Sequence, residues 1–509
     1  MKRYLALAGF AFAILAFSSV WLGGLNQDEG WYLYAAQLVS EGRMPYRDFF
    51  YTQGPLMPTL YSSLTWVWQQ GGILGARILT CGIGLAGMVF AAVLARLLAP
   101  QGRKGAAGVV AFMLLGCNLY HIYYTSIPKT YALASLFATM GYYLLGCALT
   151  DFGRRFRPVL LFTAGLTLAL ASGVRISLGV LLAVCGFGLL FSFRRLRWSF
   201  LWFGLGGVLG LAVAYGAYLV DADAFRGLYE AQRYHAARGG FDPVFTIGSF
   251  SRLVRWYLPL FVLLGLGVTG CLFVPRAEDS AERRLMLVLA AVGFAAVFAV
   301  QMLAPFPYED YQVPVMGLLA VVAAVLAVEF PLFAVLRLDA APPSPWPVVL
   351  LALGMTWASS FGSPLLERWM TNGQDRFWSL KKEKCELAQL RDIAKVIESI
   401  DPGGKTLLTQ DLYLAIETRR RVPDGLEMGP FSVLTDDEWK NLLSTASCEV
   451  AALSGYSFAI KPPRCAERPI EQQMEYWGLL KSRYDLVMRE DDFGQNATTL
   501  LILKKKADK

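Results

Sequence analysis

Apolar positions in this 509-residue chain come in long runs broken by few charges. A run of about 20 residues with few charges is long enough to cross the hydrocarbon of a bilayer as a helix. Eleven runs fit, at 5–24, 74–98, 105–123, 130–149, 158–173, 176–193, 199–220, 256–274, 285–304, 313–336 and 346–361. The fifth and sixth are separated by little more than Gly173-Val174-Arg175 and also read as one broken hairpin. The predicted fold class is a polytopic α-helical membrane protein of about eleven transmembrane helices. The first run follows Lys2-Arg3, and no small-x-small cleavage site succeeds it, so it reads as a retained anchor.

Between the runs the pattern changes. Within 25–73, Trp31, Tyr34, Ala35 and Leu38 share one helical face, and Gly42 is placed to end that helix. Leu56, Leu60, Leu64 and Trp68 recur every fourth residue after Gly54-Pro55. Both segments are predicted as amphipathic helices lying flat in the outer interface, with two acid clusters held between them. A second outer loop, 221–255, carries Arg226, Arg233, Arg238, Arg252 and Arg255. Gly239-Gly240 and Pro243 predict irregular backbone there. A third, short loop holds Tyr308, Glu309, Asp310 and Tyr311.

Residues 369–509 lack a spanning run. Leu387, Leu390, Ile393, Ala394 and Ile397 predict a helix, and 405–410, 449–453, 484–488 and 498–503 predict strands. The expectation is a transmembrane domain over 1–368 and a small soluble α/β domain over 369–509.

Charge sharpens this division. Residues 1–368 carry a net +9 and residues 369–509 a net −1. The basic surplus therefore belongs to the membrane part, which argues for topology signals and against nucleic-acid binding. With the N-terminus in the cytoplasm, each inner connection holds Lys or Arg, such as Arg103-Lys104, Arg154-Arg155, Arg194-Arg195, Arg283-Arg284 and Arg337. That orientation places the C-terminal domain outside, on the periplasmic face of a bacterial inner membrane. Five of the eight cysteines lie in apolar runs and read as small hydrophobes. Cys448 and Cys465 are the natural disulfide pair in the tail. With two histidines and no paired CxxC, a dedicated zinc site is not expected.

The most informative segment is Asn26-Gln27-Asp28-Glu29-Gly30-Trp31-Tyr32, where two adjacent acids sit as the chain leaves the bilayer. Acids there are costly to desolvate. Pro45-Tyr46-Arg47-Asp48-Phe49-Phe50-Tyr51-Thr52-Gln53-Gly54-Pro55-Leu56 follows. This pairing of an Asp-Glu step after the first span with an aromatic-acid cluster ending in Gly-Pro-Leu resembles the first outer loop of the C-fold (GT-C) polyprenyl-phosphate-dependent glycosyltransferases. Protein O-mannosyltransferases and lipid A aminoarabinose transferases are the nearest in pattern. Gly54 stands where the family's Pro-Pro-Leu signature has its first proline.

The resemblance implies an inverting transfer of a monosaccharide from a polyprenyl-phosphate donor to an envelope glycan, lipid or protein. Asp28 matches the acid that takes the acceptor's proton; Glu29 and Asp48 are further candidates for that role. Asp28 is equally well placed to cap helix 30–41. Lys129, Arg175, Arg233, Arg238 and Arg255 are the candidate ligands of the donor phosphate. Lys129 also fits a lysine snorkelling to water, and Arg175 an ion pair with Glu309 or Asp310. Tyr46, Gln53, Tyr308, Glu309, Asp310 and Tyr311 are candidates for substrate contact. Partners are the lipid-linked sugar, its acceptor and membrane lipid; no metal or other cofactor is expected. The competing reading is a transporter or flippase, which would place ionisable groups at the midplane rather than at the outer rim.

Overall fold

The computed structural model describes residues 2–150, 155–192, 196, 198–237, 239–273, 280–330, 346–361, 384–455, 460–461, 466–495 and 497–507. Among the described residues, each of the eleven apolar runs is mostly helix. In chain order the membrane part holds α1 (Lys2–Leu22), α2 (Gln27–Ser40), α3 (Leu56–Ser62), α4 (Thr65–Leu98), α5 (Lys104–Gly116), α6 (Leu119–Ser126), α7 (Thr130–Leu149) and α8 (Arg157–Val174). It continues with α9 (Gly179–Phe191), α10 (Ser199–Val220), α11 (Ala222–Ala237), α12 (Pro243–Trp256), α13 (Leu258–Phe273), α14 (Ala281–Met302), α15 (Val313–Glu329) and α16 (Trp346–Phe361). Among the described residues, seven helices are long and apolar enough to span alone, and two bent pairs, α5–α6 and α12–α13, raise the total to nine. Segments 176–191 and 346–360 are the two shorter apolar helices.

α8 packs between α7 and α10, and α15 is buried along its whole length among α4, α5, α7, α13 and α14. The α15 carbonyl end is not left bare: Arg103 donates to the carbonyls of Val328 (2.7 Å) and Glu329 (2.6 Å). This satisfies acceptors that a helix C-terminus leaves open. Several connections expected on the inner side, including 151–154, 193–195, 274–279 and 331–345, lie outside the described residues, as does the expected boundary near 368.

The C-terminal part contains α17 (Glu386–Ile400), α18 (Leu412–Thr418), α19 (Asp436–Thr445) and α20 (Ile470–Arg483). Its strands are β1 (Val450–Ser454), β2 (Ile460–Lys461), β3 (Ala466–Glu467), β4 (Tyr484–Phe493) and β5 (Thr498–Lys505). β1, β5 and β4 form an antiparallel sheet in that order, with Ala452 opposite Ile502 and Leu486 opposite Leu503. The predicted strand at 405–410 reduces to single bridges, Thr406 to Arg421 and Leu408 to Ala451. It runs parallel along the free edge of β1 and turns away into α18 too soon to form a ladder. Cys448, expected to pair, is a buried free thiol, and Cys465 lies outside the described residues.

Three loop expectations change. The helix predicted through 56–68 breaks at Ser63-Leu64, and its second part is already the start of α4. α2 does not lie open on the leaflet: Trp31, Tyr32, Leu33, Tyr34, Ala35 and Ala36 are all buried, because both α3 and α18, the latter from the C-terminal part, pack against it. The loop 221–255 is largely helical. Asp242 caps α12 by accepting from Val244 (2.9 Å) and Phe245 (3.1 Å), and Pro243 fits the first turn of that helix.

Candidate active site

The start of α2 decides which acid is free. Asn26, in extended backbone, caps the helix, and its Oδ1 accepts from the Asp28 amide at 3.0 Å. Glu29 returns the capping box by accepting from the Asn26 amide at 3.0 Å. Capping is thus done by Asn26 and Glu29, and the Asp28 carboxylate is left for other partners.

Glu29 is turned inward. Its oxygens take Arg77 Nη2 at 2.6 Å and Nε at 2.7 Å, and both side chains are fully buried. Arg77 spends its other donors on the carbonyls of Val20 (3.2 Å), Gly23 (2.9 Å) and Gly24 (2.8 Å). This pair ties α1, α2 and α4 together beneath the acid loop. Glu29 therefore stands in a structural lock, apart from the cluster around Asp28.

Asp28 points the other way, toward the N-cap of α7. Its Oδ2 lies 2.8 Å from Lys129 Nζ, and its Oδ1 accepts from Trp31 Nε1 at 3.0 Å. Lys129 reaches Asp310 Oδ2 at 2.8 Å as well, and Tyr131 donates to the same oxygen at 2.8 Å. The ammonium also lies 4.7 Å from the Tyr131 ring centre. Burial pushes the Asp28 carboxyl up, but Lys129, the Trp31 hydrogen bond and Arg175 together hold it below its ordinary value. With 22% of its side chain exposed, this ionised carboxylate remains reachable from outside.

Arg175 ends α8 on the far side of Tyr131. It donates to Thr130 Oγ1 at 3.1 Å and is stacked between Tyr131 (4.8 Å) and Tyr311 (5.2 Å). It is only 8% exposed, its Nε has no hydrogen-bond partner, and among the described residues no carboxylate is ion-paired with it. Arg175 opens into a cavity of about 260 Å³ that Gln53, Ser177, Gln232, Gln301 and Tyr311 also line. Gln301, 4% exposed, donates to Ser177 at 3.1 Å, which leaves its Oε1 without a partner. A buried polar atom with no partner costs about 1–3 kcal/mol. Three residues of this one cavity carry such an atom, Gln232 Nε2 being the third, and they mark a place suited to a polar ligand.

Gly54, the departure from the family signature, is explained here. A Cβ at this position would collide with the Gly173 carbonyl. The close approach of the 52–54 loop to the end of α8 brings Gln53 and Arg175 to the same cavity. Tyr46, at φ 69°, donates its hydroxyl to the Gln53 carbonyl and so fixes the loop from behind.

The remaining candidates lie apart. Asp48 pairs with Arg47 at 2.9 Å and accepts from the Met44 amide at 2.7 Å, contacts that hold its carboxyl below the ordinary value. Glu309 is taken by Arg252 at 3.0 Å. Tyr308 packs edge-on against Phe245 and Tyr311. Arg233 and Arg255 are exposed, and Arg238 lies outside the described residues. Of the expected cations the structure brings Lys129 and Arg175 together. Sequence reading passed over Arg77, Gln301 and Ser177. Arg77 had a visible signal, as a cation inside an apolar run.

Below the polar cavity the seam between α9 and α14 holds two more, of about 550 and 400 Å³. Val184, Phe187, Leu285 and Val292 line the larger, and Phe191 and Leu285 border both. Ile176 and Gln301 stand at the upper end of the same seam. The seam follows α9 for about 20 Å at 1.5 Å per residue, much of a hydrocarbon layer.

This architecture is the C-fold of membrane glycosyltransferases, and the chain is a membrane protein of that fold. ArnT from Cupriavidus metallidurans bound to undecaprenyl phosphate superposes with a TM-score of 0.61 at 14% identity, over 100% of this chain and 99% of its own. Its apo state gives 0.60 at 15% identity, over 99% and 98%. The apo oligosaccharyltransferase of Archaeoglobus fulgidus gives 0.53 at 11% identity, over 97% of this chain and 73% of its own. No protein-family model and no curated protein matches the sequence.

Proposed function

We propose that this protein transfers a monosaccharide, with inversion, from a polyprenyl-phosphate donor to an acceptor hydroxyl or amine at the outer face of the inner membrane. One observation carries the reading. A partly exposed carboxylate, relieved of capping, stands near a polar cavity with an unpaired guanidinium nitrogen, and the helices that flank that cavity, α9 and α14, line apolar cavities further along their length. A phosphate-headed isoprenoid has the matching shape, and the superposed ArnT structure is one with undecaprenyl phosphate bound.

The seam between α9 and α14 takes the isoprenoid chain, and Arg175 with Gln301 receives the phosphate. The acceptor oxygen or nitrogen attacks the anomeric carbon while the bond from that carbon to the phosphate oxygen breaks. Asp28 takes the proton that the acceptor loses. The released lipid phosphate carries the electron pair away, and Arg175 and Lys129 offset its charge. The outer placement follows the positive-inside pattern of the connections.

The test is turnover of labelled undecaprenyl-phosphate hexoses and pentoses by the purified protein in nanodiscs. Asp28→Asn should lower transfer by about 10²- to 10⁴-fold with the fold intact. Full activity in that variant would overturn Asp28 as the base, and transport without sugar release would overturn the enzyme reading.

A further inference from the structure

The N-terminus of a helix leaves backbone N–H groups that need acceptors. At α2 the segment itself supplies some: Asn26 and Glu29 serve the amides of Asp28 and Asn26. The amides of Leu25 and Gln27 are served from elsewhere. Leu25 donates to Glu386 Oε2 at 2.6 Å, and Gln27 donates to Gln495 Oε1 at 2.7 Å. Glu386 opens α17, and Gln495 sits in the β4–β5 turn, beside Gly494 at φ 69°. The Gln27 side chain adds a third bond, from Nε2 to Asp411 Oδ1 at 2.9 Å. Asp411 is itself steadied by the Tyr413 hydroxyl at 2.9 Å.

One turn further along α2, Gly30 lets the two parts touch. A Cβ there would collide with the backbone of Leu412 and Tyr413 in α18. Asp28 is thus bracketed by residues 25, 27 and 30, each held by the C-terminal domain, while its own carboxylate faces Lys129. Docking does not depend on these contacts alone. Val422 donates to the Tyr34 hydroxyl at 3.0 Å, Arg421 pairs with Glu41 at 2.8 Å, and Glu417 accepts from the Ile73 amide at 2.9 Å.

We propose that the C-terminal domain sets the position of the base, with Gln495 and Asp411 acting as positioning residues for Asp28 through Gln27. The proposal rests on the reading of Asp28 as the base. A reacting group displaced by about 1 Å can cost on the order of 100-fold in rate. A single hydrogen bond to Gln27 is therefore enough to matter for turnover without being needed for docking.

The test uses the full-length protein in nanodiscs and an undecaprenyl-phosphate sugar that the wild type turns over. Gln495→Ala should lower kcat by about 10- to 100-fold and leave the donor KM and undecaprenyl phosphate affinity unchanged. Gln495→Glu, which keeps an acceptor oxygen, should restore kcat. Arg421→Ala, which breaks only a peripheral docking pair, should change neither. In parallel, 5-fluorotryptophan at Trp31, assigned with Trp31→Phe, reports its bond to Asp28 by fluorine NMR. Its resonance should move or broaden in Gln495→Ala and return in Gln495→Glu. An unchanged kcat, a loss confined to KM, or no rescue by glutamate overturns the proposal. If the wild type turns over no donor, the enzyme reading fails while the Trp31 resonance still decides whether Gln495 positions Asp28.

Discussion

Lys129 and Asp28 form a 2.8 Å ion pair that joins the N-cap of α7 to the first turn of α2. The pair explains how a largely buried carboxylate stays ionised. Burial favours the protonated acid, and the ammonium, the Trp31 hydrogen bond and Arg175 together outweigh it. Lys129→Met removes that offset, so the Asp28 pKa rises and the protonated, inactive form persists to higher pH. The acid limb of kcat against pH should shift upward in Lys129→Met and far less in Lys129→Arg. A profile that does not move would show that Lys129 does not set the charge of Asp28.

The Glu29–Arg77 pair should be read out in stability. Removing one partner of a buried ion pair strands the other and costs about 3–5 kcal/mol. Arg77→Met and Glu29→Gln should each lower the melting temperature of the purified protein sharply. Replacing both residues together by Met and Leu should recover part of the loss. Full stability in Arg77→Met would exclude the lock.

Arg175 offers a fork and a flat face that lysine lacks. Arg175→Lys keeps the charge but loses the stacking on Tyr131 and Tyr311. Affinity for undecaprenyl phosphate should fall roughly 10-fold or more, about 1.4 kcal/mol. Gln301→Leu should weaken the same binding, since it removes the amide whose oxygen awaits a partner. Titration calorimetry or ligand-induced melting shifts would measure both.

Asp411 lies buried at the junction of the C-terminal domain with α2. Burial raises its carboxyl, more than the bonds from Gln27, Tyr413 and Ser454 lower it. Above the ordinary value of 3.8 the unfolded chain releases this proton while the folded chain keeps it. Stability therefore falls as pH climbs from there through the raised pKa. Asp411→Asn should flatten that fall, as melting temperatures measured across the acid range would show. An identical slope in both proteins would rule Asp411 out as its source.

Much of this was legible in the sequence because hydrocarbon thickness imposes a length: among the described residues seven helices carry it alone and two bent pairs carry it together, while the runs at 176–193 and 346–361 form shorter apolar helices. Asp28, Lys129 and Arg175 were legible as ionisable residues at span ends. The Asn26-x-x-Glu29 spacing of a capping box was also present, yet adjacency made Asp28 look like the cap. The cover on α2 was not legible, because its partners are 361 to 468 residues away. The ion pair of Arg252 was not legible, because its carboxylate partner, Glu309, comes from a different loop. The irregular backbone expected at Gly239-Gly240 separates α11 from α12, whereas the two flanking helices, the second capped by Asp242, were not legible in a loop so rich in charge.

The close contact at Gly30 also carries an order of events. Leu25, Gln27 and Gly30 are made early in synthesis, and Glu386, Tyr413 and Gln495 are made only after every predicted span has been translated. Until then the amides of Leu25 and Gln27 must rest on water. On the proposed role of Asp28, a chain stalled within the membrane part can insert yet holds that carboxylate loosely. Competence for the proposed transfer then arrives with the β4–β5 turn.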